Sequence, residues 1–437
     1  MTEDKVVGAL VGCIAGDALC MPVHWYYDVA KLKKDYGSTV DSMVKPLATH
    51  PESMVQGMSY SGSIDIMHDK LQYYAGHTRK SEMTEEEIKA KSDDHGNFVG
   101  ATEDERVHYH ATLLAGQNTA NVTIARLLMR SLANSNEGGH DKYIPQKFLE
   151  EMVAYLTTDP HDSPDDIAQE SAHNDVYLDV WVRKFFEAAS KGTDLLHCAY
   201  NQRDQWSIGS LDGVVLALPI IAAYRHDAEA MLIGRAVEHQ MLTHRSITVT
   251  MGITIVAPLL QALWAGADPD EALVAAMKKI RPPRVTGREM RESYVAHHGP
   301  GNIPKDEKWL QHMAPTNSGE TLADVVQELL ASGDLPLEDV AGWGVGKARF
   351  SSACYVEQAL SIVLYLAAKF RDDVKGALSS NALIGGHSTS RGALLGAILG
   401  ARVGLDKFPR DFVSGLAAPD NVVRDAERVA ACAVTYA

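Results

Sequence analysis

The chain has 437 residues, is 46% hydrophobic and carries a formal charge of −16 at pH 7. That is enough apolar material for a large core, and the acidity excludes a nucleic-acid backbone or an anionic membrane as the main partner, since both demand concentrated positive charge. Cys13, Cys20, Cys198, Cys354 and Cys432 are scattered without CxxC spacing, and read as reduced core thiols rather than a disulfide framework or a zinc knuckle. The opening Met-Thr-Glu-Asp-Lys lacks the basic start of a secretory signal, so a cytoplasmic protein is expected.

In chain order, the first expected helix covers residues 6–19 and carries Gly8, Gly12 and Gly16, which leaves one face bare. Interior glycines cost about 1 kcal/mol each unless another backbone packs closely against them. The same spacing returns at Gly392, Gly396, Gly400 and Gly404, and the two ridges are expected to touch. Residues 21–28 form an aromatic-rich turn and 29–35 a short helix. Over 36–116 periodic runs are scarce apart from an acidic helix near 84–92. A stretch that long with so few elements is expected to be an insertion draped over a site.

From residue 119 onward, apolar residues at i, i+3, i+4 spacing mark helices over 122–132, 143–156, 176–190, 213–225, 228–241, 247–265, 268–279, 321–331, 351–369 and 372–379. The charge-free run 246–265 is long enough to cross a bilayer, but its threonines, Pro258 and Gln261 suit a core helix better. Residues 281–318, rich in Pro, Gly and His, form a second loop excursion. No convincing alternating strand is present. The expected fold is all-α, a single domain over 1–437 with the insertion 36–116 and the excursion 281–318. Before the last glycine helix, Gly385 and Gly386 allow a tight loop and Ser388 and Ser390 are natural N-caps. The free N–H groups of such a helix start favour an anionic or strongly polar ligand group.

Four stretches carry a resemblance. GALVGCIAGDALCMPVH over 8–24, AGQNTANVT over 115–123, WSIGSLDG over 206–213 followed by LTHRS over 242–246, and GGHSTSRGALLGAILGARVG over 385–404 resemble, in order, the signature segments of the ADP-ribosylglycohydrolase superfamily, which includes the crystallin J1-like proteins. The resemblance implies a compact helical fold and, in typical members, two Mg²⁺ ions held by carboxylates of an early Thr-Asp-Asp-Thr and a late Asp-x-Asp-Thr motif, with a glutamate after the first helix in some. Hard divalent ions held close together need several anionic oxygens. Here the early motif reads Thr119, Ala120, Asn121, Val122, the late one His387, Ser388, Thr389, Ser390, and the glutamate position holds His24. The magnesium site is therefore not carried over, and no cofactor is expected. Asp17 survives, read as a structural residue on the first helix.

The replacements are themselves polar, which predicts a rebuilt pocket with His24, His387, Asn121, His108 and His110 as catalytic candidates. Neutral imidazoles can serve as general base and acid near neutral pH. A single zinc ion on His24, His387 and either His108 or His110 is the open alternative. Asn118, Thr119, Gly386, Ser388, Thr389 and Ser390 are expected to bind substrate, joined by Ser207, Gly209 and Ser210, whose segment in the family approaches the ribose and diphosphate. Thr243 and His244 begin another matching loop. Asp212 is read as an exposed helix-start aspartate, with the alternative that it lines the pocket and supplies a missing carboxylate; Asp175 and Asp179, at i, i+4, either share a helix face or are solvated helix charges; and His297 and His298 read as surface residues. The expected function is hydrolysis or transfer at a ribosyl or nucleoside-type glycosidic linkage. The alternatives are a pseudoenzyme that binds an ADP-ribose-like or nucleotide ligand, and a structural, crystallin-like protein. The expected partner is a small ribosyl or nucleotide-like molecule.

Overall fold

The computed structural model describes residues 2–55, 84–92, 101–137, 143–157, 177–200, 208–282, 320–342 and 348–432. Its helices in chain order are α1 (Thr2–Cys20), α2 (Val29–Tyr36), α3 (Glu85–Ala90), α4 (Ala120–Glu137), α5 (Pro145–Thr157), α6 (Val180–Ser190), α7 (Asp212–Ala223), α8 (Glu229–Gln240) and α9 (Ile247–Ala265). They continue with α10 (Pro269–Met277), α11 (Leu322–Ala331), α12 (Leu337–Val340), α13 (Val356–Phe370), α14 (Val374–Ile384), α15 (Ser388–Val403), α16 (Arg410–Ser414) and α17 (Pro419–Ala431). The class is all-α, as the sequence predicts. Among the described residues the only strands are a two-residue parallel pair, β1 (Ala341–Gly342) on β2 (Phe350–Ser351), too short to leave an alternating pattern.

The two glycine ridges meet. α1 and α15 lie antiparallel with Gly8 against Gly400, Gly12 against Gly396 and Gly16 against Gly392. A Cβ placed on Gly8 would stand 2.7 Å from the Gly400 carbonyl oxygen, and at the other two pairs it would come closer still. Only residues without a side chain allow this approach, which is why the helix-propensity penalty of glycine is tolerated here. Every residue of α15 from Ser388 to Ala401 is buried, as is all of α7. These two helices, with α1 and α13, form the centre of the core.

α1 stops where Met21–Val23 turns into a short 3₁₀ segment, because Pro22 has no N–H to continue the ladder. α15 stops at Gly404, whose φ of +82° suits glycine. Around the core pack α4, α5, α6 and α17, whose apolar faces include the fully buried Phe148, Trp181, Phe185 and Phe186, each contributing about 2–3 kcal/mol of apolar burial. Two described helical stretches are long and apolar enough to cross a bilayer: Glu3–Val23, wholly buried inside the protein, and Ile247–Ala265, 56% buried. Their apolar surface is largely used in the core.

Several boundaries differ from expectation. The helix expected over 351–369 begins at Val356, because residues 350–355 pair instead with β1 and with the loop at Gly209 and Ser210. The one expected over 176–190 begins at Val180 with Asp179 as N-cap. α3 carries a full capping box between Thr84 and Glu87, in the stretch expected to hold an acidic helix.

Candidate functional site

Helix starts converge on one buried cluster. Asn121 lies in the first turn of α4, Asp179 is the N-cap of α6, Asp212 is the first residue of α7, and His387 is the N-cap of α15. Helix N-termini present partial positive charge, which favours the carboxylates placed there. Opposite them, the segment after α1 contributes His24, and residues 101–116 contribute His108 and His110. All these side chains are buried, none more than 7% exposed.

The link between the two halves is a backbone clasp. Trp25 N–H donates to the Gly386 carbonyl over 2.8 Å and Gly386 N–H donates to the Tyr26 carbonyl over 2.6 Å. Gly386 adopts φ +61°, and a Cβ there would sit 2.6 Å from Ser352 Oγ, so no larger residue fits. Arg391, fully buried, braces the same loop: it donates to Asn381 Oδ1 over 3.0 Å, to the Ser352 carbonyl over 2.7 Å and to the Gly385 carbonyl. The clasp sets the His24 and His387 ring centres 4.8 Å apart, edge to face.

The imidazoles divide into two kinds. His108 Nε2 lies 2.8 Å from the Pro22 carbonyl, and its Nδ1 accepts from His110 N–H over 3.0 Å. Since a carbonyl only accepts, His108 is a neutral ring fixed in one tautomer. His50 is held alike, between the His24 carbonyl and the Glu52 N–H. Both act as struts between backbone groups. His24 instead contacts side chains, with Nδ1 2.8 Å from His110 Nε2 and Nε2 3.3 Å from Thr389 Oγ1. His387 Nε2 stands 3.0 Å from Asp212 Oδ2, close enough for a charge pair. Among the described residues neither His387 ring nitrogen makes an aligned hydrogen bond, so Nδ1 is free to take a proton.

Burial holds His387 and His108 down at about 3, and His24 well below its ordinary value, the neighbouring imidazoles adding to the effect. The carboxyls move the opposite way. Burial, then the neighbouring Asp179, pushes Asp212 well up, and burial raises Asp179 against the pull of its Asn121 bond. The Asn121 amide nitrogen donates to Asp179 Oδ2 and, over 2.9 Å, to Asp212 Oδ1, while its oxygen accepts from the Trp181 indole N–H over 3.0 Å.

Other expectations are corrected. Asp212 is 2% exposed and Asp179 7% exposed, so neither is a solvated charge; each ends in the cluster because its helix start points inward. Asn118 and Thr119 are buried and bonded within the protein. Asn118 Nδ2 donates to Asp17 Oδ2 over 2.9 Å, and Thr119 donates to both Asp17 oxygens. Burial pushes Asp17 up to about 6 despite these bonds. Ser388 is the first residue of α15 rather than its cap, and its hydroxyl donates to the Cys20 carbonyl over 3.2 Å. Ser390 Oγ has no partner among the described residues. The Gly209 carbonyl accepts from Val356 N–H, and Ser210 bonds Asp212. His244 is buried with its ring 5.2 Å from Trp181. Ser207, Asp175, His297 and His298 lie outside the described residues. Sequence reasoning missed His50, Trp181 and Arg391; an aromatic at core spacing carries no mark of a second role, and residues 37–55 offer no periodicity from which to place His50.

Oxygen is what Mg²⁺ requires, and the space between Asp179 and Asp212 is faced by an amide N–H₂. Among the described residues no group of three His, Cys, Asp or Glu side chains is arranged to hold a metal ion.

The protein is thus an all-α fold with imidazole and carboxyl groups buried where helix starts converge. The chain is a member of the ADP-ribosylglycohydrolase family, whose model matches residues 1–436. It is similar to a solved chain described as an ADP-ribosylglycohydrolase-related protein complex, with TM-score 0.50 and 15% identity over 99% of each chain, a likeness of fold. No curated protein matches it.

Proposed function

We propose that the protein hydrolyses a ribosyl-type glycosidic linkage without a divalent cation, using His387 as general base. The observation that carries this reading is the contact between His387 Nε2 and Asp212 Oδ2 at 3.0 Å. The base is armed when Asp212, whose proton burial tends to retain, gives that proton up: the one proton left between the two groups then sits on Nε2, and the Nδ1 lone pair is open. With Asp212 orienting Nε2, His387 Nδ1 accepts a proton from water as that water's oxygen bonds the anomeric carbon. Asp212 stabilises the resulting imidazolium. The glycosidic bond breaks with its electron pair on the leaving atom, which takes up the proton that His387 removed from water, so the imidazole returns to its neutral form.

Family membership supports the substrate class, and the Asn121 amide between the two carboxyls supports independence from magnesium. The test incubates the protein with ADP-ribosylated arginine and serine peptides, O-acetyl-ADP-ribose and a nucleoside panel, with Mg²⁺ and with chelator. Turnover that persists in chelator and is lost in His387→Ala and Asp212→Asn is expected. Turnover abolished by chelation overturns the metal-independent mechanism. Thermal stabilisation by ADP-ribose with no turnover of any substrate overturns the hydrolase reading in favour of a binding protein.

A further inference from the structure

The helix that supplies Asp179 also supplies, two residues on, the group that decides what faces it. We propose that Trp181 excludes divalent cations from the site by locking Asn121 with its amide nitrogen, rather than its oxygen, toward Asp179 and Asp212. The inference deepens the metal-independent reading above and rests on it for its relevance to catalysis, but its test needs no turnover.

An indole N–H donates and cannot accept. With Trp181 Nε1 3.0 Å from Asn121 Oδ1, the amide cannot turn over: its N–H₂ would then oppose the indole N–H, and its oxygen would face two carboxyl oxygens. Trp181 is itself immobile, 1% exposed, with the His244 ring 5.2 Å away. A cation drawn toward Asp179 and Asp212 therefore meets amide hydrogens at the point where both carboxyls converge. Reversed, Asn121 would add a third oxygen to the same point, the kind of donor set that Mg²⁺ or Mn²⁺ takes. Two carboxyls, an amide poised between them and one indole donor make the orientation of Asn121 the selectivity element.

The experiment titrates the full chain with Mn²⁺ and reads free Mn²⁺ by electron paramagnetic resonance, in wild type, Trp181→Phe and Asn121→Asp. Wild type is expected to show no saturable site. Trp181→Phe frees the amide to turn, and Asn121→Asp presents oxygen in either orientation; each is expected to gain one saturable Mn²⁺ site, about 10- to 100-fold tighter than the weak unsaturable background of wild type. Circular dichroism confirms folding. Should Trp181→Phe not fold, 3-benzothienylalanine at 181 keeps the bicyclic volume without the N–H and takes its place. A saturable Mn²⁺ site in wild type overturns the proposal. So does Mn²⁺ binding by Asn121→Asp that the Trp181 substitution does not reproduce, which removes Trp181 as the lock, or no gain in either variant, which removes the cradle. An inactive wild type sinks the hydrolase reading alone and leaves cation exclusion to the Mn²⁺ titration.

Discussion

Gly12→Ala tests the packing on which the site depends. A Cβ at Gly12 would lie 2.7 Å from the Gly396 carbonyl carbon and 3.0 Å from Phe408 Cε2, and nearer still to the Gly396 oxygen. The obstacle is backbone, so α1 and α15 must separate, an overpacking cost at the upper end of the usual range, about 3 kcal/mol. Alanine regains about 1 kcal/mol of helix propensity, leaving a net loss of about 2 kcal/mol. An unfolding entropy of about 2.1 cal/mol/K per residue over 437 residues is about 0.9 kcal/mol/K, so the melting temperature should fall by about 2 °C. Gly234 on α8 is the control, since a Cβ there meets nothing within 4 Å. Gly234→Ala should therefore gain about 1 kcal/mol and raise the melting temperature by about 1 °C. Calorimetry and urea midpoints measured side by side decide the matter. If Gly12→Ala is as stabilising as Gly234→Ala, the close approach of the two helices is wrong.

Three further outcomes are expected. Asp17→Asn replaces an acceptor of three hydrogen bonds with an amide that brings donors of its own, and should cost about 1–3 kcal/mol; an unchanged urea midpoint would count against the role of Asp17 as anchor of Asn118 and Thr119. Arg391→Lys cannot reproduce the contacts to Asn381, Ser352 and Gly385, so about 2–4 kcal/mol should be lost; a variant as stable as wild type would show that the loop holds without this brace. Stability should also depend on pH. His387 and His108 stand at about 3 in the folded protein against about 6.5 unfolded. Their contribution is complete above that unfolded value and is lost progressively as pH falls from about 6.5 toward 3. Asp17, pushed up to about 6, works oppositely, its contribution being present below about 3.8 and lost as pH rises through 6. Asp179 and Asp212, raised by burial as well, act with Asp17, but the lowered imidazoles of His24, His50, His108, His239, His244 and His387 outnumber these carboxyls, so urea midpoints should fall as pH drops from about 6.5 toward 5. A flat profile there would refute the burial of neutral rings.

The fold was legible because its signals are periodic. Amphipathic spacing marks helices wherever one face is buried, and glycine at every fourth position leaves few uses besides close packing. The site was legible where residue type alone carried meaning, as for His24, His387 and Asn121, which the structure gathers together. It was misread where direction mattered. Asp212 and Asp179 look like ordinary helix-start charges, and only the convergence of α4, α6, α7 and α15 turns them inward. Ser388 has the right chemistry for a cap, yet its hydroxyl reaches the Cys20 carbonyl because α1 lies against it. Trp181 reads as core and is core; its second role depends on a hydrogen bond to a residue 60 positions away.

The antiparallel seam has a temporal consequence. Gly8 and Gly400 touch although almost the entire chain separates them, so during synthesis α1 emerges long before its partner exists. At about 5–20 residues per second, the interval is roughly 20–80 s, during which a strongly apolar helix has no mate. Contacts so distant along the chain close late, and until then the bare ridge of the first helix is without its partner. Closing the seam is thus among the last acts of folding, and it is the same act that brings His24 to His387, so the candidate site is assembled only after the α15 segment has been made.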